Sequence, residues 1–315
     1  MGSLKARSPV IVVLGATATG KTSVALELAR RLDGEIISAD SRAFFTGLDI
    51  VTDKPTPEQR RSIPHHLIDC VPIDGVYDAM AFRSDVSRLL PQIRQRRHQP
   101  IIAGGGTLYL AALLRGLFEG PDKDDDVRGI LQTCDIDDLY DELISVDPQA
   151  ARRIHRNDRL RITRAIEVFR TTGKPMSQWQ AEAVSLPEDF YVIGLLRERA
   201  SHRCLIEARV RQMLACGVIE EIAQLRSKGL TEQSQAYRTI GVPEAFEVLE
   251  KTMTLEVFVQ RVSERTWQLA RRQMTWFRRD KDVHWIDVTG RTADEVAEQI
   301  LAGFSPGLAA VNEDT

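Results

Sequence analysis

The sequence predicts an α/β protein whose parallel sheet is interrupted by a smaller, all-helical domain. Short apolar runs rich in β-branched residues alternate with stretches of helical periodicity, as in proteins whose parallel strands are joined by crossover helices. A glycine-rich loop follows the first of these runs and opens the first helix. Residues 121–187 carry no convincing strand pattern, which predicts a separate helical domain.

Five short runs have the length and the β-branched content of buried parallel strands. They are residues 9–14, 35–39, 100–103, 191–196 and 284–288. Helical periodicity covers residues 23–32, 80–95, 199–228 and 255–279. We therefore expect a first part of the α/β core (8–120), an inserted helical domain (121–187), a second part of the core (188–304) and a flexible tail (305–315).

The composition is that of an ordinary globular protein and excludes a disordered or fibrous chain. The 315 residues include 42 Lys+Arg and 45 Asp+Glu, for a formal net charge of −3, and 43% are hydrophobic. No apolar run approaches the roughly 20 residues that span a bilayer, so we expect no membrane segment. The four cysteines form no CxxC pair, which favours free thiols and a cytoplasmic location.

Two segments are strongly basic although the whole chain is nearly neutral. Residues 152–174 carry eight Lys/Arg against two acids, and residues 261–279 carry six Arg against one acid. Such segments indicate either a local site for a polyanion or only a solvated helix face.

The eight-residue loop between the first strand and the first helix fits the pattern GxxxxGK[ST]. Its glycines expose backbone N–H groups, and the helix N-terminus adds a partial positive charge. Lys21 supplies a point charge for phosphate oxygens, and the Thr22 hydroxyl can complete a Mg²⁺ shell. We predict a di- or triphosphate site, the phosphate loop, formed by Gly15, Ala16, Thr17, Ala18, Thr19, Gly20, Lys21 and Thr22.

The phosphate loop alone does not decide which pyrophosphate group it holds. A kinase or NTPase would place an aspartate at the end of a hydrophobic strand, whereas residues 101–104 end in glycine. Asp40, after the second predicted strand, is the better-placed carboxylate, because ligands gather beyond the carboxyl ends of parallel strands. We expect Asp40 to face the phosphate loop; the alternative is an aspartate that caps a helix or a turn.

Further motifs follow the phosphate loop in order along the chain. They include Ile37-Ser38-Ala39-Asp40-Ser41, Lys54-Pro55, Pro64-His65-His66-Leu67-Ile68-Asp69, Gly104-Gly105, Leu108-Tyr109, Asn157-Asp158, Thr172-Gly173-Lys174, Arg238 and Ala270-Arg271-Arg272-Gln273. Together they resemble the motifs of the tRNA dimethylallyltransferases, which are isopentenyltransferases related to P-loop kinases. The phosphate loop is common to many enzymes, whereas the ordered set over about residues 10–280 is specific to this family. The resemblance implies a P-loop kinase-like parallel sheet with an inserted helical domain.

The resemblance also implies an activity: transfer of the dimethylallyl group from dimethylallyl diphosphate to the exocyclic N6 of the adenosine 3′ to the anticodon of tRNA. It implies that Asp40 is the general base, and that Lys21, Arg238 and a Mg²⁺ ion on Thr22 stabilise the leaving diphosphate. A monomer is expected. The residues at or beside the family's acceptor and tRNA-contacting segments are Ser41, Arg42, Gly106, Thr107, Arg128, Arg161 and Arg164. For Arg161 and Arg164 the alternative is an ion pair on a helix face.

Four departures from the family's pattern occur. Gly106 stands where the family has threonine, Val242 and Pro243 replace an aromatic residue and a cation, Trp267 replaces an arginine, and Val51 and Asp53 add bulk and a negative charge. Three of these changes remove polar or basic groups from the segments expected to bind the acceptor. The residues expected to bind the diphosphate donor, Gly15, Gly20, Lys21, Thr22 and Arg238, match the family's pattern.

The acceptor is therefore open between tRNA and a small molecule, such as a free adenine nucleotide or another nitrogen nucleophile. A small acceptor predicts a cavity mouth narrowed around Gly106, Val242 and Trp267, and a helical domain without a continuous basic groove. Two other classes stay open: a P-loop kinase or ATPase would need an adenine pocket, and a noncatalytic RNA-binding protein would leave the diphosphate uncleaved.

Overall fold

The computed structural model describes residues 8–118, 120–121 and 124–304, and its strands form one parallel sheet. The strands are β1 (Val10–Gly15), β2 (Gly34–Ser38), β3 (His65–His66), β4 (Gln99–Gly104), β5 (Phe190–Leu196) and β6 (His284–Asp287). Their order across the sheet is β3-β2-β4-β1-β5-β6. The predicted α/β fold with a parallel sheet is confirmed, whereas the expected tail, 305–315, lies outside the described residues.

Fourteen α-helices occur in the described part of the chain. They are α1 (Lys21–Leu32), α2 (Pro57–Ser62), α3 (Ala79–Gln95), α4 (Thr107–Leu114), α5 (Asp125–Thr133), α6 (Ile136–Val146), α7 (Pro148–Ala151), α8 (Arg159–Thr172), α9 (Met176–Ala181), α10 (Arg199–Ala215), α11 (Val218–Ser227), α12 (Val242–Leu249), α13 (Leu255–Phe277) and α14 (Ala293–Gly303). In the same described residues, one 3₁₀ turn, Gln235–Arg238, lies between α11 and α12.

Two features of the fold differ from the expectation. The continuous helix predicted over residues 199–228 is wrong: α10 ends at Ala215 and α11 begins at Val218. Gly217 between them has a φ of 90°, a left-handed conformation that glycine adopts readily and that breaks a helix. Strand β3 was not predicted, because its two residues are too short to show any periodicity.

The central strand β1 is buried along its whole length between β4 and β5. Its side chains Ile11 and Val13 pack in one apolar cluster with Val24 and Leu28 of α1 and Ile300 of α14. Each such fully buried side chain contributes roughly 1.5–3 kcal/mol. This packing holds the start of α1, and therefore the phosphate loop, at the end of the central strand.

The chain divides into two compact units, residues 111–186 and the remainder. The smaller unit begins at Ala111, inside α4, rather than at the expected residue 121. Its described elements are helical, and its core contains Leu131, Leu143 and Ile162.

Glu167 organises the charges of the smaller unit. This carboxylate is completely buried and accepts hydrogen bonds from Arg128 at 2.8 and 2.9 Å, from Arg164 at 2.8 Å and from the Asp124 N–H at 2.9 Å. Burial raises the pKa of Glu167, but the hydrogen bonds from Arg128, Arg164 and Asp124 outweigh it and hold the pKa at about 2. Arg128 and Arg164 thus have a structural role here, while the exposed Arg161 lies 3.5 Å from Asp158.

We expect Glu167→Gln to lower the free energy of unfolding by about 3 kcal/mol at pH 7, because two guanidinium groups lose their buried partner. The folded-state pKa is depressed, so this stabilisation is present above the ordinary pKa of 4.5 and is lost as the pH falls towards about 2. Urea unfolding at pH 7 and pH 3 measures both effects. The matched control is Glu142→Gln, which breaks a partly exposed pair with Arg170 and should cost less than about 1 kcal/mol. Equal losses in the two variants would contradict this assignment.

Candidate active site

The carboxyl ends of β2 and β4 lie so close together that only glycine fits between them. The Ala39 N–H donates to the Ala103 carbonyl oxygen at 2.8 Å, and the Gly106 N–H donates to the Ala39 carbonyl oxygen at 3.0 Å. A Cβ atom on Gly104 would lie 2.3 Å from the Ala39 backbone, and one on Gly106 would lie 2.6 Å from the Ala39 oxygen. These contacts fix the position of Asp40, the residue after Ala39, and leave no room for a side chain at position 106 in this backbone.

The phosphate loop is tied down by its own side chains. Lys21 Nζ donates to the Ala16 carbonyl oxygen at 2.6 Å, and Thr19 Oγ1 donates to the same oxygen at 2.8 Å. Burial lowers the pKa of Lys21 to about 8; the carboxylate of Asp40 opposes this shift and the guanidinium of Arg209 adds to it. Asp40 therefore lies within electrostatic reach of the loop lysine, where its position after β2 predicts it.

Thr17 connects the phosphate loop to α10 and α13. The Thr17 N–H donates to Gln273 Oε1 at 2.9 Å, and Gln273 Nε2 donates to the Gly105 carbonyl oxygen at 2.8 Å. Arg209 Nη1 donates to Thr17 Oγ1 at 3.2 Å. The third contact comes from His202, whose Nε2 donates to the Thr17 carbonyl oxygen at 2.7 Å.

Two cavities meet at Asp40. The smaller, of about 170 Å³, is lined by the phosphate loop and by Ile36, Ala43 and Ile68. The larger, of about 460 Å³, is lined by residues after β2 and β4 and by α10 and α13. Four residues line both cavities, namely Thr17, Asp40, Thr52 and Arg209.

The predicted site residues divide between these cavities. The smaller cavity is lined by Thr17, Ala18, Gly20, Lys21 and Thr22. The larger cavity is lined by Ser41, Arg42, Gly106, Thr107 and Arg238. Gly15, Ala16 and Thr19 line neither cavity, and Ala16 and Thr19 are almost fully buried. Arg128, Arg161 and Arg164 belong to the smaller unit.

The larger cavity is strongly cationic. The Asp40 carboxylate is held by the Arg42 N–H at 2.9 Å, and burial lowers the pKa of Arg42, although not enough to remove its charge. Arg265 is paired with Glu244, whereas neither Arg238 nor Arg272 has a carboxylate partner among the residues that the structure describes. The guanidinium groups lining the larger cavity belong to Arg42, Arg209, Arg238, Arg265 and Arg272.

Sequence reasoning missed Arg209 and Gln273 as site residues. Arg209 lies in the middle of α10, outside every motif, and only the fold brings it to both cavities. Gln273 belongs to one of the resembling motifs, but its spacing gave no sign of a bond to Thr17, 256 residues away.

The departures at positions 242 and 267 do not narrow the larger cavity. Val242 is completely buried, and neither it nor Trp267 lines the cavity wall. Trp267 instead packs edge-to-face against His202, with ring centroids 5.5 Å apart. Asp53 lies 3.4 Å from Arg209, so the added negative charge has a partner. Of the three positions around which a small acceptor predicts narrowing, only Gly106 lines the larger cavity.

Oxygen donors for a cation are few but suitable. The Thr22 hydroxyl and the Asp40 carboxylate both face the smaller cavity, and no cluster of three or more His, Cys, Asp or Glu ligands occurs in the described ranges. This set suits Mg²⁺, which usually takes one or two protein oxygens and completes its shell with phosphate oxygens and water. None of the helices described is long and apolar enough to cross a membrane.

Comparison with known proteins agrees with these features. The profile of the family described as IPP transferase matches residues 43–280. The tRNA dimethylallyltransferase 2 of Geotalea uraniireducens (strain Rf4) is 39% identical over 285 residues, covering 88% of this chain and 92% of the relative.

Solved structures agree as well. The full-length tRNA isopentenylpyrophosphate transferase of Bacillus halodurans has a TM-score of 0.71 at 32% identity, covering 94% of this chain and 96% of its own. A eukaryotic dimethylallyltransferase acting on tRNA has a TM-score of 0.80 at 27% identity, covering 95% of this chain and 81% of its own. The chain therefore belongs to the IPP transferase family, as its ordered motifs predict.

Proposed function

We propose that this protein transfers the dimethylallyl group of dimethylallyl diphosphate to the exocyclic N6 of the adenosine beside the anticodon of tRNA, releasing diphosphate. The observation that carries the proposal is the position of Asp40, which lines both a cavity bounded by the phosphate loop and a larger cationic cavity. A carboxylate where the two cavities meet can contact both the attacking amine and the carbon that the amine attacks.

The smaller cavity suits the donor. Its polar wall carries Lys21, Thr22 and Arg209, which favour a diphosphate, and its apolar wall carries Ala43 and Ile68, which suit a branched five-carbon chain. Negative charge grows on the diphosphate as the allylic C–O bond breaks. Lys21 and Arg209, already fixed before the reaction, stabilise that charge without reorganisation. Arg238, in the larger cavity, adds a further positive charge.

Mg²⁺ is the cofactor that we assign to this reaction. When bound, it neutralises charge on the diphosphate and makes it a better leaving group. The Thr22 hydroxyl would hold it, and the carboxylate of Asp40 lines the same cavity.

The transfer step follows from this placement. The N6 nitrogen attacks C1 of the dimethylallyl group, and the C1–O bond breaks with its electron pair passing to the diphosphate. The nitrogen then carries an extra proton, which passes to the carboxylate of Asp40. The N–H of Arg42, bonded to Asp40 Oδ1, orients that carboxylate.

Three observations favour tRNA over a small acceptor. The larger cavity has about 460 Å³ and several arginines in its wall, which suits a nucleoside with its flanking phosphates. Val242 and Trp267 do not narrow it. The relatives in the family are named for activity on tRNA. An adenosine from the anticodon loop must leave its stack to reach Asp40, as in other enzymes that modify bases. We keep the expectation of a cytoplasmic monomer with this proposal.

We expect Asp40→Asn to retain diphosphate binding and to lower the turnover of tRNA prenylation by roughly 10²–10⁴, the usual contribution of a positioned base. Turnover is measured by mass spectrometry of tRNA given dimethylallyl diphosphate and Mg²⁺. The matched control is Asp53→Asn, because Asp53 lines the same cavity but is paired with Arg209. Asp53→Asn should lower turnover by less than about tenfold. Normal turnover in Asp40→Asn would remove Asp40 from the reaction.

Donor affinity should fall as the pH rises above about 8, the pKa of Lys21. The lysine is charged below this pKa and neutral above it, so the loop loses a positive charge and the dissociation constant rises by up to about tenfold per pH unit. Calorimetric titration with dimethylallyl diphosphate between pH 6.5 and 9.5 measures the effect. Lys21→Arg is the control: arginine stays charged throughout this range, so the decline above pH 8 should disappear. A decline that persists in Lys21→Arg would assign it to another group.

A further inference from the structure

His202 is the contact on Thr17 that no motif predicts. It lies on α10, is 5% exposed, and its Nε2 lies 2.7 Å from the Thr17 carbonyl oxygen. A carbonyl oxygen can only accept, so Nε2 carries the proton. Burial lowers the pKa of His202, and the charges of Lys21 and Arg197 lower it further, which keeps the ring neutral near pH 7.

The direction of this carbonyl sets the direction of the next N–H. A peptide bond is planar and trans, so its C=O and N–H point to opposite sides. Because the Thr17 oxygen points at α10, the Ala18 N–H points away from that helix. Within the described residues the Ala18 N–H makes no hydrogen bond, and Ala18 lines the smaller cavity.

The backbone at Ala18 is unfavourable without this hydrogen bond. Ala18 has a φ of 61°, in the left-handed region that non-glycine residues seldom occupy. A rotation of the Thr17–Ala18 peptide plane changes ψ of Thr17 and φ of Ala18 together. It would return Ala18 to a negative φ, and it would also reverse the directions of the Thr17 carbonyl and the Ala18 N–H.

We propose that His202 is a positioning residue that holds the Thr17–Ala18 peptide in its diphosphate-binding orientation, against the preference of Ala18 for a negative φ. Trp267 supports His202: the two rings meet edge-to-face at 85°, which fixes the plane of the imidazole. The arginine found at position 267 in the family's pattern has no aromatic face to offer, so this departure gains a structural explanation. The inference rests on the proposed donor site.

The test is calorimetric titration with inorganic diphosphate and Mg²⁺ in three variants of the full chain. His202→Leu removes the donor to the Thr17 oxygen and should weaken binding by about tenfold. His202→Gln carries an amide N–H where Nε2 lies and should stay within about threefold of the unaltered protein. His98→Leu is the matched control, because His98 also bonds a backbone carbonyl oxygen, that of Asp33, away from the phosphate loop, and it should not change binding.

A second-site change separates positioning from a general loss of packing. Glycine tolerates positive φ, so Ala18→Gly removes the strain that His202 opposes. In the Ala18→Gly background, the further change His202→Leu should therefore weaken binding by only about threefold or less. A merely structural histidine would give the same loss in both backgrounds.

Three results would overturn the inference: diphosphate binding unchanged in His202→Leu, an equal loss in His202→Gln, or an equal cost of His202→Leu with and without Ala18→Gly. These results are separable from the proposed function. Wild-type protein that binds diphosphate but does not prenylate tRNA would contradict the function and not the role of His202. If the wild-type protein prenylates tRNA and diphosphate binding is unaltered in His202→Leu, the role of His202 alone is contradicted.

Discussion

The amide of Gln273 is the constraint on which the rest of the site depends. It accepts from the Thr17 N–H and donates to the Gly105 oxygen, so one buried side chain of α13 joins the loop after β1 to the loop after β4. Neither main-chain group could be left unpaired at this depth without a cost of about 1–3 kcal/mol. Because Gly106 in turn binds Ala39, the carboxylate of Asp40 is placed relative to the phosphate loop through a continuous series of backbone contacts.

The same arrangement determines the charge balance around Lys21. Lys21 is buried beside Arg209, which disfavours its charged form, and the carboxylate of Asp40 opposes that effect. A diphosphate would supply the missing negative charge, so the loop is more favourable electrostatically when occupied than when empty. Arg238 and Arg272 likewise form no ion pair with a carboxylate in the part of the chain that is described, so a phosphate group would also balance their charges. The cationic surface is therefore concentrated where phosphate groups of donor and acceptor would lie.

Much of this arrangement could be predicted from the sequence, because it rests on short motifs of neighbouring residues. The phosphate loop, the end of β2 and the glycines after β4 are short patterns whose positions in a parallel sheet bring them to one edge. The contacts of Arg209, His202 and Gln273 could not be predicted, because each joins Thr17 to a helix more than 180 residues away. The basic segment 152–174 was ambiguous for a similar reason, since a sequence does not reveal that Arg128 and Arg164 share Glu167.

Ion pairs with carboxylates determine which arginines remain able to bind a phosphate group of the acceptor. A guanidinium group held in two hydrogen bonds by a buried carboxylate, as Arg128 is, has little capacity left for a phosphate oxygen, because moving it would strand Glu167. Arg161 is exposed and weakly paired, so it remains able to move to a phosphate. Arg238 and Arg272 are better placed still, because they already line the cavity that contains Asp40. The departures that remove basic groups, at positions 243 and 267, lie outside the lining of the larger cavity, so they leave its cationic wall intact.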